Sequence, residues 1–305
     1  MRSKLLLTGT TGFLGSHLLK ALIEDGNEIV ALKRTHSDCK RIVSQLQNSH
    51  VTFYDIDDIR ILEKIFAEND IYGVIHCAVE YGRGDALKIT DTVETNINFS
   101  IRLLDMAIKN KCMFFTNVDS FFSKQLETGS MGKDNIYMPE YTLSKYQFSQ
   151  WGQLKAVHSK IDFVNMRLEH IYGEDDDAEK FIPYIINSIK NKVPEIRLSE
   201  GLAERDFIYV EDVCNAFVMA LHWVASNAGF GYKNIDIGRG FSVRVKDFVL
   251  EIKNSFSECE TELLFGALNR SEQEIEKSCA DIQEIQKMGW SPRYDVRFMI
   301  KNILT

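Results

Sequence analysis

Three glycines spaced by three, Gly9, Gly12 and Gly15, follow directly on the apolar run Leu5-Leu6-Leu7. The run predicts a short buried strand over residues 4–7, and the residues from 12 to 24 carry helical periodicity. Glycines at such a junction allow a tight turn, close backbone approach to a pyrophosphate, and tight packing of helix on strand, while the helix N-terminus attracts negative charge. A second apolar run predicts a strand over 28–32 and closes a β-α-β unit of roughly 30 residues, the setting in which this glycine spacing marks a dinucleotide site. Thr8 to Gly15, with Phe13 and Leu14 inside it, is therefore the first candidate binding segment.

The alternation continues. Helical patterns over 38–47, 59–68, 92–109 and 141–158 separate apolar strands expected over 51–54, 74–77, 113–116 and 163–167. Six apolar strands divided by helices imply a parallel sheet covered on both faces, an α/β fold of the Rossmann-type, doubly wound kind. Beyond Tyr172-Gly173 the rhythm breaks. Helices are expected over 181–191, 211–225, 245–256, 281–288 and 296–303, with short strands over 194–198, 234–237 and 262–265. The organisation expected is a dinucleotide-binding domain over 1–170, with 206–240 returning to it, and a smaller mixed α/β substrate region made of 171–205 and 241–305. The acidic stretch Glu174-Asp175-Asp176-Asp177 reads as a solvated loop and helix start.

With 305 residues the chain can bury a sizeable core. Its net charge of -8 and the lack of a basic stripe argue against nucleic acid as a partner, so an anionic substrate needs a few locally placed cations. The six cysteines are scattered without C-x-x-C or histidine spacing, which points to reduced thiols, a cytoplasmic location and no metal site. The N-terminal apolar run is too short for an export signal, and no stretch is long enough to span a membrane.

Tyr141 and Lys145, four apart on one predicted helix, project from one face about a turn apart, so an ammonium can sit beside a phenol and ease its ionisation. Such a pair is worth little alone; coupled to the glycine fingerprint it reads as a reductase-type proton donor. The second strand ends in Lys33-Arg34 with no acid for a ribose hydroxyl, and two cations there suit a 2′-phosphate, favouring NADP(H). Asp55-Ile56 either touches adenine or caps the next helix. Cys77-Ala78 offers the small side chains that a backbone running beneath a cofactor needs, and His76 reads as a core histidine.

Thr8 to Gly15, Tyr141 to Lys145, Arg167 to Gly173 and Arg205-Asp206-Phe207-Ile208-Tyr209-Val210 occur in an order that resembles the extended short-chain dehydrogenase/reductases acting on nucleotide sugars. Within that family, Tyr81-Gly82-Arg83, Leu168 to Gly173 and Ser278-Cys279-Ala280-Asp281-Ile282 look like the CDP-paratose and CDP-abequose synthases. The resemblance implies reduction by NADPH of the 4-keto group of a CDP-linked 3,6-dideoxyhexulose, in surface-polysaccharide deoxysugar (O-antigen, lipopolysaccharide) biosynthesis. It implies that Tyr141 donates the proton and that Lys145 holds the nicotinamide ribose and keeps the phenol acidic. Val118 stands where the family carries a Ser or Thr; Ser120 is the candidate for that hydroxyl, with Thr116 behind it. Related dehydratases place an Asp-Glu pair just after that position, whereas here Ser120 follows Asp119, which favours reduction over elimination.

By the same resemblance Arg205 contacts the substrate diphosphate, with local pairing to Asp206 or Glu204 as the alternative. Arg270 is either a second clamp or exposed, and Arg83 either reaches the sugar or phosphates or lies on the surface. A homodimer through the helices over 92–109 and 141–158 is expected. Two other readings stay open: a nucleotide-sugar 4-epimerase, and a non-catalytic NADP-binding scaffold.

Overall fold

The computed structural model describes residues 4–82, 89–127, 138–257, 259–269 and 275–304. The chain divides into two compact units, Met1–Arg167 with Cys214–Ile235, and Leu168–Val213 with Asp236–Thr305. Each is built on its own terms.

In the first unit the strands are β1 (Lys4–Thr8), β2 (Ile29–Lys33), β3 (Val51–Asp55), β4 (Ile71–His76), β5 (Phe114–Ser120) and β6 (Asp162–Leu168). A seventh strand, Tyr232–Ile237, pairs beside β6 and completes a parallel sheet in the order β3-β2-β1-β4-β5-β6-(232–237). This is the doubly wound α/β architecture that the alternation implies. Leu5, Leu6 and Leu7 are all fully buried although they alternate in direction, because helices cover both faces of the sheet. Leu6, Val30, Val74, Phe115 and Phe163 pack with Leu62 and Ile65, Leu103 and Leu104, and Phe148, each pair or residue from a different helix. Each such side chain contributes about 1.5 to 3 kcal/mol relative to exposure.

Three local expectations are corrected. The helix expected over 38–47 is only a single 3-10 turn, Lys40–Ile42. Ile42 is buried, but Val43 and Leu46 are 63% and 42% exposed, so the apolar spacing finds no surface to cover. The helix expected over 92–109 is broken by a π-helical turn, Glu94–Phe99, between Ile89–Val93 and Ser100–Lys109. The cause lies in Asn96, whose side chain donates to the Glu80 carbonyl at 2.8 Å and to Ser144 Oγ at 2.9 Å and accepts from Glu80 N–H, contacts that a regular helical turn does not serve. Finally β5 does not stop at residue 116 but runs to Ser120, so Ser120 ends a strand rather than sitting on the following loop.

The second unit contains two short parallel strands, His170–Tyr172 and Phe207–Tyr209, which sequence reasoning did not foresee, and a parallel pair of Glu195–Leu198 with Glu262–Phe265. Glu204–Arg205 pairs antiparallel with Val243–Arg244. Asp206, fully buried, ties the unit together. Its carboxylate accepts from the backbone N–H of Arg239 at 2.6 Å, Gly240 at 3.0 Å and Ala280 at 3.2 Å.

Candidate active site

The strand order reverses between β1 and β4, so the segments leaving their carboxyl ends diverge and open a crevice there. Thr8 ends β1 opposite His76, which ends β4. Thr8 Oγ1 accepts the N–H groups of Cys77 and Ala78, both at 3.1 Å, and lies 2.8 Å from His76 Nδ1. Its proton therefore goes to Nδ1. That leaves Nε2–H to donate to Ser100 Oγ at 2.7 Å, and Ser100 in turn donates to the Thr95 carbonyl at 3.3 Å. The imidazole is neutral and fully engaged, and burial pushes its pKa down to about 3. His76 is thus a brace that fixes the Cys77-Ala78 backbone.

The glycine turn packs onto that brace. Gly9 has φ +70, and a β-carbon on it would lie 2.7 Å from Ala78 N, so only glycine fits. A β-carbon on Gly15 would lie 2.0 Å from the Gly9 carbonyl oxygen, whereas one on Gly12 would meet nothing closer than that oxygen at 3.3 Å. Helix Phe13–Glu24 begins after Gly12 with no side-chain cap and no acid in its first turn. Thr10 Oγ1 donates to the Leu32 carbonyl at 2.9 Å and so ties the turn to β2. An uncapped helix start with an open glycine in front of it fits the negative charge of a pyrophosphate.

At the end of β2, the Lys33 ammonium pairs with the carboxylate of Asp55, which raises the lysine's pKa. Two residues that sequence reasoning assigned separately to a cofactor therefore neutralise one another. Arg34 is exposed, and Ile56 N–H donates to the Lys33 carbonyl at 2.7 Å.

Tyr141 and Lys145 lie on helix Pro139–His158, 7% and 4% exposed. The Tyr141 ring stacks on Tyr81, with centroids 5.1 Å apart and planes 26° from parallel. Lys145 Nζ donates to the backbone carbonyl of Val118 at 2.7 Å. Burial lowers the lysine's pKa, opposed by the charge of Asp119. Ser120 Oγ accepts the N–H of Phe122 at 3.3 Å, and Thr116 is buried earlier in the same strand. Tyr141, Lys145 and the end of β5 thus belong to one corner of the first unit.

In the second unit Arg205 is 8% exposed, and its Nη1 donates to the Glu204 carbonyl at 2.8 Å. Asp206 serves three backbone N–H groups, and Glu204 Oε2 accepts from Ser242 Oγ and Lys277 Nζ, each at 2.8 Å. Arg83 and Arg270 lie outside the described residues.

Sequence reasoning passed over two residues in these surroundings. Arg41 Nη1 donates to the Thr11 carbonyl at 3.5 Å, which brings a cation to the glycine turn; nothing in its spacing signals this. Asn96, a polar residue inside an apolar helical pattern, could have been flagged as one that must find buried partners. Among the described residues no group of His, Cys, Asp and Glu could hold a metal ion, and no helix is long and apolar enough to cross a membrane.

The chain is 34% identical over its full length to CDP-abequose synthase of Salmonella typhimurium, covering 98% of that protein. It is 27% identical to a putative UDP-glucose 4-epimerase of Methanocaldococcus jannaschii, with 98% and 97% of the two chains covered. Among solved structures, the UDP-N-acetylglucosamine 4-epimerase of Methanobrevibacter ruminantium superposes with a TM-score of 0.82 at 22% identity, over 100% of this chain and 99% of that one. The UDP-glucose 4-epimerase of Thermotoga maritima does so at 0.80 and 20%, over 98% and 96%. A family model matches residues 5–238, and with it the chain belongs to the NAD dependent epimerase/dehydratase family.

Proposed function

We propose that the protein reduces the 4-keto group of a nucleotide-linked deoxyhexulose, a CDP-4-keto-3,6-dideoxyhexose, with NADP(H). The observation that carries this reading is the setting of Lys145: a buried ammonium held on the Val118 carbonyl, one helical turn beyond a buried tyrosine, in a chain that resembles CDP-abequose synthase along its full length.

The glycine turn and helix start hold the pyrophosphate, with Gly9, Gly12, Phe13, Leu14 and Gly15 lining it and Cys77-Ala78 below. Arg34, with Lys33 and Asp55-Ile56, receives the adenosine end. NADPH, when bound, supplies the hydride. Tyr141 gives its phenolic proton to the former carbonyl oxygen, and Lys145 holds the nicotinamide ribose and lowers the phenol's pKa. Ser120 donates to the same oxygen as charge develops on it. Arg205, and Arg83 and Arg270 with it, bind the substrate's phosphates and sugar. Two copies pair through the helix Pro139–His158, whose outer side exposes Leu143, Trp151, Leu154 and Val157, and through the helical segment over 92–109.

Oxidation of NADPH, followed at 340 nm against a panel of enzymatically made 4-keto nucleotide sugars, tests the reading. One NADPH consumed per CDP-4-keto-3,6-dideoxyhexose supports it. Epimerase kinship favours a second reading, a 4-epimerase, in which tightly held cofactor survives purification and no net oxidation occurs.

A further inference from the structure

Lys145 is removed from water, and among the described residues its hydrogen bond is to a carbonyl dipole, the backbone oxygen of Val118. An ammonium buried in this way needs an anion or it loses its proton. The titratable groups coupled to it are His76 at the end of β4, Cys77 just after it, and Asp119 on β5. His76 is neutral, as its hydrogen bonds require, and burial pushes the Cys77 thiol up to about 12. Among the described residues, Asp119 is the anion left.

Asp119 is 2% exposed and held from three sides. Its Oδ1 accepts the N–H of Ser120 at 2.7 Å; its Oδ2 accepts Asn165 Nδ2 at 2.7 Å and lies 3.1 Å from Ser123 Oγ. Asn165 is itself fixed, accepting from Asn117 at 2.7 Å and donating to Asn234 at 3.0 Å. Tyr232, from the seventh strand of the sheet, also feels the charge of the carboxylate, and its hydroxyl donates to Asn234 at 2.9 Å. Burial pushes the Asp119 pKa up, and the charge of Lys145 is the largest influence pulling it back. Each of these charges is buried, and each is the other's main compensation.

We propose that Asp119 is the internal counter-ion of Lys145 and a positioning residue for the end of β5, keeping the lysine charged and holding in place both the Val118 carbonyl and Ser120. It is not an acid presented to substrate: both of its oxygens are turned into the buried amide network. The part that bears on turnover rests on the ketoreductase reading; the charge coupling does not.

The test is a titration of the full-length protein, following Lys145 by side-chain carbon NMR, in the wild type and in Asp119→Asn. The variant should move the Lys145 midpoint to lower pH. Reciprocally, Lys145→Met should move the Asp119 carboxyl midpoint to higher pH, because coupling between two sites acts equally on both. In the NADPH assay, the alkaline limb of kcat should shift to lower pH together with Lys145, with kcat falling about tenfold or more above it. Midpoints that stay in place in folded variants overturn the proposal, and if Asp119→Asn fails to fold, the Asp119 titration in Lys145→Met decides it alone. Coupled midpoints in a protein that reduces no 4-keto sugar would refute the ketoreductase reading and leave the charge coupling standing.

Discussion

The Gly9 carbonyl oxygen stands 2.0 Å from where Gly15 would carry a β-carbon, while Gly12 clears the same oxygen by 3.3 Å. Gly15→Ala should therefore force helix and turn apart and destabilise the fold by about 1 to 3 kcal/mol in urea unfolding. Gly12→Ala should unfold almost as the wild type does and instead weaken cofactor binding, measured by quenching of protein fluorescence. A Gly12→Ala variant with unaltered cofactor affinity would move the pyrophosphate away from this helix start.

Ser120→Ala should lower kcat by roughly 10²-fold or more, since one preorganised donor to a developing oxyanion is worth about 2.7 to 4 kcal/mol. Tyr141→Phe should cost at least as much. Val118→Thr should change little, because Lys145 uses the backbone oxygen at that position and not the side chain. A silent Ser120→Ala beside a strongly activating Val118→Thr would reverse the assignment and favour a non-catalytic scaffold.

Lys33 already has a carboxylate partner in Asp55, and Arg34 is exposed. Arg34→Ala should weaken NADPH binding about tenfold, the worth of one charge-assisted contact of roughly 1.5 kcal/mol, and leave NADH binding unchanged. Lys33→Ala should cost less selectivity. Titration of both cofactors decides the point, and tighter binding of NADH by the wild type would end the NADP(H) reading.

Arg205→Ala should raise the KM for the nucleotide sugar by an amount equivalent to about 2 to 4 kcal/mol with cofactor affinity unchanged, because the diphosphate would lose its partner. An unaltered KM would rule out the clamp.

Burial holds His76 and His170 at a pKa of about 3, against an ordinary value of 6.5, with the charge of Arg205 adding to the effect on His170. A depressed folded-state pKa means that the unfolded chain takes up protons that the native state refuses. The stability is fully present above pH 6.5 and lost as pH falls towards 3. Unfolding free energy from urea titrations should drop by on the order of 2 kcal/mol per histidine between pH 7 and pH 4.5. A stability that is flat over that range would show that one or both histidines are reached by protons in the folded protein.

Features that depend on neighbours in sequence were legible. The fit of Gly12 and Gly15 against the Gly9 carbonyl is decided by sterics within seven residues, and the apolar strands announce a sheet buried on both faces. What escaped depends on reach. Asn96 breaks its helix by bonding Glu80 and Ser144, 16 and 48 positions away, and Asp119 meets Asn165 at a separation of 46. The apolar spacing around Ile42 imitates a helix face, but only Ile42 of that spacing is buried, and Val43 and Leu46 stay exposed. Lys33 and Asp55 each looked free in sequence because they end different strands, and only the parallel register brings them together.

The strand Tyr232–Ile237 completes a sheet whose other members have all appeared by residue 168, and the chain makes much of its second unit before returning to add it. During synthesis, then, the ribosome has to deliver more than sixty further residues while β6 stands as an uncovered edge carrying Phe163, Val164 and Met166. A nascent chain paused in that interval presents an apolar template on which a second nascent chain can pair. Slow codons between these two strands would consequently be expected to lower the yield of native protein without altering a single residue of it.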